Sequence, residues 1–214
     1  MTVYLVRHTE PRLPDELRRF VGQTDLPLSP LGLEQARNLV ERLKDVAFEA
    51  IYSSDLRRCL ATAEIIAGPT GRPIQVDPRL REIHTGLWEM LTPDEARRSY
   101  PAKYAERERD IVGYRFPGGE SFRDLQRRVV AAFHDIVQTG GKKTLVVSHR
   151  GANRALLCHL LRRPLDELFG IEQGYGCVNL LELSSGAGGQ YEARVSMLGP
   201  ADALGPADAP APPT

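Results

Sequence analysis

The chain opens on an apolar run, "TVYLV", that stops abruptly at Arg7 and His8, and the same change from greasy to charged recurs further on. Such a run reads as a buried strand whose end reaches the surface. "FEAIYSS" is a second strand of this kind, and "KTLVVSHRG" a third, in which a β-branched run stops at Ser148 and His149. Helical periodicity fills the intervals. After "LPLSP", Ser29 is placed to cap a helix with Pro30 at its first position, and Ala36, Leu39, Val40 and Leu43 follow at helical spacing. "DLRRCLATAEIIAG" reads as a helix capped near Ser54 or Asp55 and closed by Gly68. From Phe122 onward, Leu125, Val129, Phe133 and Ile136 keep a strict apolar stripe, and "ANRALLCHLLRR" forms a further helix directly after His149.

"PIQVDPRLREI" is mostly extended, and its prolines confine it to a sheet edge or a connection. Residues 92–110 are charged, with a helical pattern broken at Pro101, and are expected to cover the domain rather than join its core. "GCVNLLEL" and "YEARVSML" read as a closing pair of strands. Strands alternating with helices predict the α/β class with a mostly parallel central sheet. Residues 1–198 are expected to form a single catalytic domain. The Pro/Ala-rich residues 199–214 contain GPADA twice and little that could be buried, and are expected to be a disordered tail.

Composition narrows this further. At 214 residues, with 42% hydrophobic and 26% charged, the chain can build an ordinary core without staples. Lys+Arg 28 balances Asp+Glu 28, so no overall field draws it to nucleic acid or a membrane, and any anion site must be local. Cys59, Cys158 and Cys177 form no close pair and are odd in number, which points to a reducing compartment and to core positions. No basic-then-apolar leader and no run of membrane-spanning length is present, so a soluble, cytoplasmic protein is expected.

Ligands of open α/β sheets lie beyond the carboxyl ends of the strands. Here those ends carry Arg7 and His8, then Ser53, Ser54 and Asp55 leading to Arg58, then Ser148 and His149. If they lie side by side, two imidazoles and two guanidiniums converge. Such a cluster is repulsive by itself and suits a compact, multiply charged anion, a phosphoryl group best of all. A neutral imidazole can attack phosphorus, and neighbouring cations keep it unprotonated. Glu82 in "LREIHTGLWE" is the candidate proton donor, with Glu10, Glu89 and Glu120 as alternatives. Taken singly, each of these residues has a plainer reading as a structural or surface group; their order and placement carry the argument. His8, His84, His134, His149 and His159 lack metal-ligand spacing, and no P-loop, dinucleotide or GxSxG motif occurs.

Six segments in order, from residue 3 to about residue 183, resemble the histidine phosphatase superfamily, which includes cofactor-dependent phosphoglycerate mutases, fructose-2,6-bisphosphatases and α-ribazole phosphatases. "LVRHTE", "GQTDLPLSPLGLEQA", "SSDLRRCLATAE", "LREIHTGLWE", "PGGES" and "VVSHRG" carry the likeness. The resemblance implies a three-layer α/β/α sandwich. It also implies that His8 is a nucleophile forming a phosphohistidine, that Arg7, Arg58 and His149 hold the phosphoryl oxygens, and that Glu82 is the proton donor. It implies no metal and no dissociable cofactor. The reaction so implied is hydrolysis of a small-molecule phosphate ester by a histidine acid-type phosphatase, a phosphoric monoester hydrolase.

Four positions depart from the family pattern. Thr9 stands where glycine is common, a variation expected to keep a backbone N–H near the phosphate. The usual asparagine is missing from "PRLPDELRRF". Met90 and Arg150 replace small residues and are expected to reshape the pocket mouth. The modest interval from Glu82 to His149 favours a phosphatase over a phosphoglycerate mutase. The "GQTDLPLS" loop and the "IEQGYGCVNLLEL" end are similar to the α-ribazole phosphatase-like branch, which makes α-ribazole 5'-phosphate a candidate substrate. A non-catalytic, phosphate-ester-binding regulator is the alternative from another class. Gly22, Gln23, Arg81, Arg109, Tyr114 and Arg115 are candidates for contact with the rest of the substrate, the last four being equally readable as surface residues. The sequence leaves the oligomeric state open.

Overall fold

A computed structural model describes residues 1–185 and 191–197; the expected tail, 199–214, lies outside the described residues. In chain order the elements are β1 (Thr2–Arg7), α1 (Pro30–Leu43), β2 (Ala50–Ser53), α2 (Arg57–Ala67), β3 (Ile74–Val76), α3 (Pro93–Ser99), α4 (Pro101–Arg109), α5 (Phe122–Thr139), β4 (Lys143–Ser148), α6 (Arg150–Leu160), β5 (Val178–Ser185) and β6 (Tyr191–Met197). Among the described residues the strands form one sheet in the order β3-β2-β4-β1-β5-β6. β3, β2, β4 and β1 run parallel, and β5 and β6 add an antiparallel margin. The proline-flanked β3 takes the sheet edge, where a missing N–H does least harm.

The pleat of β1 explains the layers. Val3 and Leu5 point to one face, where they meet Leu125, Val129 and Phe133 of α5 and Leu156 and Leu157 of α6. Val6 points to the other, where it joins Leu39 and Leu43 of α1 and Cys59, Ala63 and Ile66 of α2. Helices thus cover both faces, the α/β arrangement expected from the alternation of elements.

Helix starts follow the local chemistry. Ser29 Oγ accepts from Gly32 N at 2.9 Å with Pro30 in the first turn, and Ser121 with Asp124 forms a capping box at α5. The start of α2 differs from expectation. Its side-chain acceptor is neither Ser54 nor Asp55 but Asp25, whose Oδ1 takes Arg57 N at 2.7 Å. Asp55 is paired with Arg81, and Ser54 Oγ lies 2.9 Å from His149 Nε2.

Residues 92–110 break at Tyr100 into α3 and α4, as Pro101 predicts, but they are more than a cover. Ala96 and Tyr104 are buried in the larger core, and Tyr104 stacks on Trp88 with ring centroids 5.5 Å apart. Trp88 also contacts Phe20 and Phe116, which ties the loop after Glu82 to the segment around residue 20.

Candidate active site

Parallel pairing of β1 with β4 sets Arg7 opposite Ser148, so the next residues, His8 and His149, leave the sheet together. His8 N donates to Ser148 O at 2.9 Å, and the two imidazole centroids are 5.1 Å apart. Arg58 arrives from the first turn of α2 and is fully buried. Its Nη1 and Nη2 donate to Thr24 O and Gly22 O, each at 2.7 Å, while its Nε has no partner among the described residues. Arg7 Nη1 donates to Gln173 O at 2.6 Å, and its guanidinium lies 3.7 Å from the centroid of the Tyr175 ring. The sequence-predicted quartet of Arg7, His8, Arg58 and His149 is thus brought together.

The protonation pattern of His8 follows from one contact. Nδ1 lies 2.7 Å from Thr9 O, and a carbonyl can only accept, so Nδ1 carries the proton and the neutral ring keeps its lone pair on Nε2. Burial, then the charges of Arg58 and Arg7, hold its pKa well below 6.5, against a smaller opposing effect of the Thr9 carbonyl. Burial and Arg58 also lower His149. Burial pushes the Cys59 thiol far up, so the group 3.3 Å from His149 Nε2 is a thiol rather than a thiolate. Thr9 corrects one expectation: its N–H is directed to Thr62 Oγ1 at 3.2 Å rather than left for a phosphate.

Glu82 sits at the N-terminus of α6. Its Oε2 accepts from Gly151 N at 2.9 Å, and Oε1 accepts from Ile83 N at 2.9 Å and Ala152 N at 3.2 Å. Gly151 permits this approach, because a Cβ there would lie 2.5 Å from Glu82 Oε1. The loop is clamped by Arg128 of α5, which donates to Arg79 O, Arg81 O and Glu82 O and pairs with Glu120 at 2.7 Å. The other carboxylates have different tasks. Glu120 completes that clamp, Glu10 accepts from Ser29 Oγ at 2.6 Å, and Glu89 accepts five hydrogen bonds from Gln23, Thr24 and Thr85. Those bonds shape the Gly22 turn, whose φ of 50° suits glycine.

Arg7, His8, Arg58 and Glu82 face a cleft of about 1000 Å³, walled also by segment 10–22, Arg107, Phe116, Arg150 and Tyr175. Of the expected substrate contacts only Gly22 lines it. Gln23 instead bridges Glu82 O and Arg81, Arg81 pairs with Asp55, and Tyr114 lies against Trp88. Arg115 pairs with Asp124, and Arg109 Nε donates to Ala105 O in its own helix. Partners close in space captured these side chains first. Of the two replaced small residues, Arg150 lines the cleft, whereas Met90 adopts a φ of 64° and bonds through its backbone to Phe20 and Arg19. Sequence reasoning passed over Tyr175, Gln173, Arg128 and Arg107; the aromatic residue inside "GYG" was the available signal.

Among the described residues, no three His, Cys, Asp or Glu side chains are gathered as a metal site requires, and no helix is long and apolar enough to cross a membrane.

Comparison with known proteins agrees with this geometry. The model of the histidine phosphatase superfamily (branch 1) matches residues 3–192. A probable phosphoglycerate mutase GpmB of Yersinia pestis is 40% identical over 171 residues, covering 77% of this chain and 76% of that protein. The structure of Bacillus stearothermophilus YhfR superposes with a TM-score of 0.81 at 37% identity, covering 91% of this chain and 95% of that one. A putative α-ribazole-5'-P phosphatase from Escherichia coli gives 0.81 at 27% identity with the same coverage. With two imidazoles and two guanidiniums meeting at adjacent strand ends, and a family match spanning nearly every described residue, the chain belongs to branch 1 of the histidine phosphatase superfamily.

Proposed function

We propose that the protein is a phosphomonoester hydrolase acting on a small phosphorylated metabolite through a phosphohistidine on His8. The observation that carries this reading is the His8 ring itself: Nδ1–H is held by Thr9 O, Nε2 is free to attack, and burial, aided by Arg58 and Arg7, keeps the ring neutral. Arg7, Arg58 and His149 hold the phosphoryl oxygens. Nε2 attacks phosphorus, the ester P–O bond breaks, and the leaving oxygen takes a proton from the Glu82 carboxylic acid. The phosphorylated ring carries a positive charge that the Thr9 carbonyl stabilises through Nδ1–H. Water then attacks the phosphohistidine and gives its proton to the Glu82 carboxylate, which restores His8 and releases phosphate.

Similarity to a GpmB protein supports a second reading, phosphoglycerate mutase activity. A mutase has to shield its phosphorylated histidine from water, and the modest interval from Glu82 to His149 leaves little chain for such a shield, which favours hydrolysis. The similarity to an α-ribazole-5'-P phosphatase keeps α-ribazole 5'-phosphate among the candidate substrates.

The test is turnover of p-nitrophenyl phosphate in EDTA by the wild type and His8→Ala, with phosphoglycerate isomerisation assayed with and without 2,3-bisphosphoglycerate. Hydrolysis that vanishes in His8→Ala, with an acid-labile phosphoryl label on the wild type, is the expected result. Hydrolysis unaffected in His8→Ala would overturn the assignment. Ester binding without turnover would instead favour the regulator reading.

A further inference from the structure

Behind Arg7 lies a group of buried amides that the phosphoryl chemistry leaves unused. Gln173 is buried and does not line the cleft, yet its carbonyl takes Arg7 Nη1 at 2.6 Å. Its side chain is held by two more buried amides, Asn179 of β5 and Asn153 of α6. Gln173 Nε2 donates to Asn179 Oδ1 at 2.7 Å, and Gln173 Oε1 accepts from Asn179 Nδ2 at 3.1 Å and from Asn153 Nδ2 at 3.2 Å. Asn179 Nδ2 also donates to Leu5 O at 3.0 Å. A carbonyl can only accept, so Leu5 O settles which way the Asn179 amide faces, and Asn179 Oδ1 in turn requires the Gln173 Nε2 donor. Of the side-chain polar atoms of the three amides, Asn153 Oδ1 alone lacks a hydrogen-bond partner among the described residues. The bonds therefore run from Leu5, two residues before Arg7 on β1, through Asn179 and Gln173 and back to the Arg7 guanidinium.

We propose that Gln173 is a positioning residue for the phosphoryl site: its side-chain amide, locked between Asn179 and Asn153, sets its own carbonyl against Arg7 and so aims the guanidinium. This rests on the reading that Arg7 holds phosphoryl oxygens. Anchoring the loop does not require these amides. Ile171 O already takes Arg154 Nε at 2.7 Å, and Cys177 O takes Arg7 N at 3.0 Å. Apolar side chains of the same volume would fill the space without the cost of desolvating three amides. They could not hold a carbonyl in register with a guanidinium. Arginine has a long side chain with many rotamers, and its planar fork binds an anion well only in one orientation. Tyr175, two residues on in the same loop, lies 3.7 Å from the guanidinium and fixes its plane, while Gln173 O fixes its rotation.

The experiment places Gln173→Met, which keeps the volume of the side chain and removes its hydrogen bonds, in three backgrounds: wild type, Arg7→Met and Glu82→Gln. kcat/KM on p-nitrophenyl phosphate is measured for each, with thermal unfolding to show that every variant is folded at the assay temperature. In the wild-type background the loss is expected to be about 10- to 100-fold, the effect of a ligand misplaced by about 1 Å. It should persist in full with Glu82→Gln, whose defect concerns the proton, and vanish with Arg7→Met, where no guanidinium remains to be aimed. A loss equal in the wild-type and Arg7→Met backgrounds, or no loss in the wild-type background, overturns the proposal. If Gln173→Met does not fold, Gln173→Asn, shorter by one methylene and still polar, takes its place in the same comparison.

If the wild type hydrolyses no p-nitrophenyl phosphate, the phosphatase reading has failed and the positioning role is read from binding alone. Calorimetric titration with inorganic phosphate then replaces turnover. Affinity weakened by Gln173→Met in the wild-type background and unchanged by it in Arg7→Met supports the role; affinity weakened equally in both, or in neither, refutes it.

Discussion

Gly151→Ala isolates the placement of Glu82 from its chemistry, because it leaves every ionisable group of the site in the sequence. The added methyl would lie 2.5 Å from Glu82 Oε1 and 3.2 Å from its Cδ. That is roughly 1 Å inside ordinary contact, so the carboxylate has to swing away. It then loses the amides of Gly151 and Ala152, now at 2.9 Å and 3.2 Å. Losing this acceptor at the start of α6 costs about 1 kcal/mol, and alanine in place of a helical glycine returns about as much. Stability should therefore hardly change, with Tm moving by no more than about 2–4 °C. A proton donor displaced by about 1 Å costs on the order of 100-fold, or about 2.7 kcal/mol, in the step that needs it. The assay is kcat on butyl phosphate and p-nitrophenyl phosphate, with thermal unfolding alongside. A large loss is expected on the alkyl ester and a smaller one on p-nitrophenyl phosphate, whose leaving group needs little protonation. A butyl phosphate rate within about threefold of wild type, or equal losses on both esters, would refute the donor role.

Arg58→Met removes a proposed phosphoryl ligand and one of the charges depressing His8, so kcat/KM should fall about 10²–10³-fold and its acid limb should move up toward 6.5; an unmoved limb on the same substrate would separate Arg58 from His8. His8 and His149 both have folded pKa values below the 6.5 of the unfolded chain, which therefore takes up protons first on acidification. Stability is full above 6.5 and should fall below it by up to about 1.4 kcal/mol per pH unit for each imidazole. Urea unfolding that is flat from neutrality to about pH 5.5 would contradict this. Met90→Gly removes a left-handed backbone cost from a side chain that disfavours it, and should be neutral to stabilising by about 1 kcal/mol in urea unfolding; a clear loss would show that the Met90 side chain contributes packing that outweighs the strain.

The convergence of four site residues was legible because it depends on local pattern and strand order. A greasy run ending in Arg7 and His8, and another ending in Ser148 and His149, suffice once the two strands pair in register. Side-chain partners at long range were not legible. Ser54 and Asp55 look like helix caps in sequence, yet His149 and Arg81 claim them across the fold, Leu56 stands at the cap position, and Asp25 supplies the acceptor for Arg57 N. Arg81 and Arg115 look like free cations for a substrate until Asp55 and Asp124 arrive beside them. The clamp of Arg128 on the Glu82 loop involves three carbonyls 46 to 49 residues away, a geometry that no periodicity encodes.

The strand order has a consequence for the nascent chain. β1 emerges from the ribosome before the strands it pairs with, yet lies in the interior of the sheet, between β4 and β5. Its pairing partners begin at Lys143 and Val178, so its apolar faces and both of its hydrogen-bonding edges wait until most of the chain has been synthesised. Such long-range closure slows folding and exposes an aggregation-prone strand in the meantime. The residue proposed as nucleophile is thus translated well before the strands that position it.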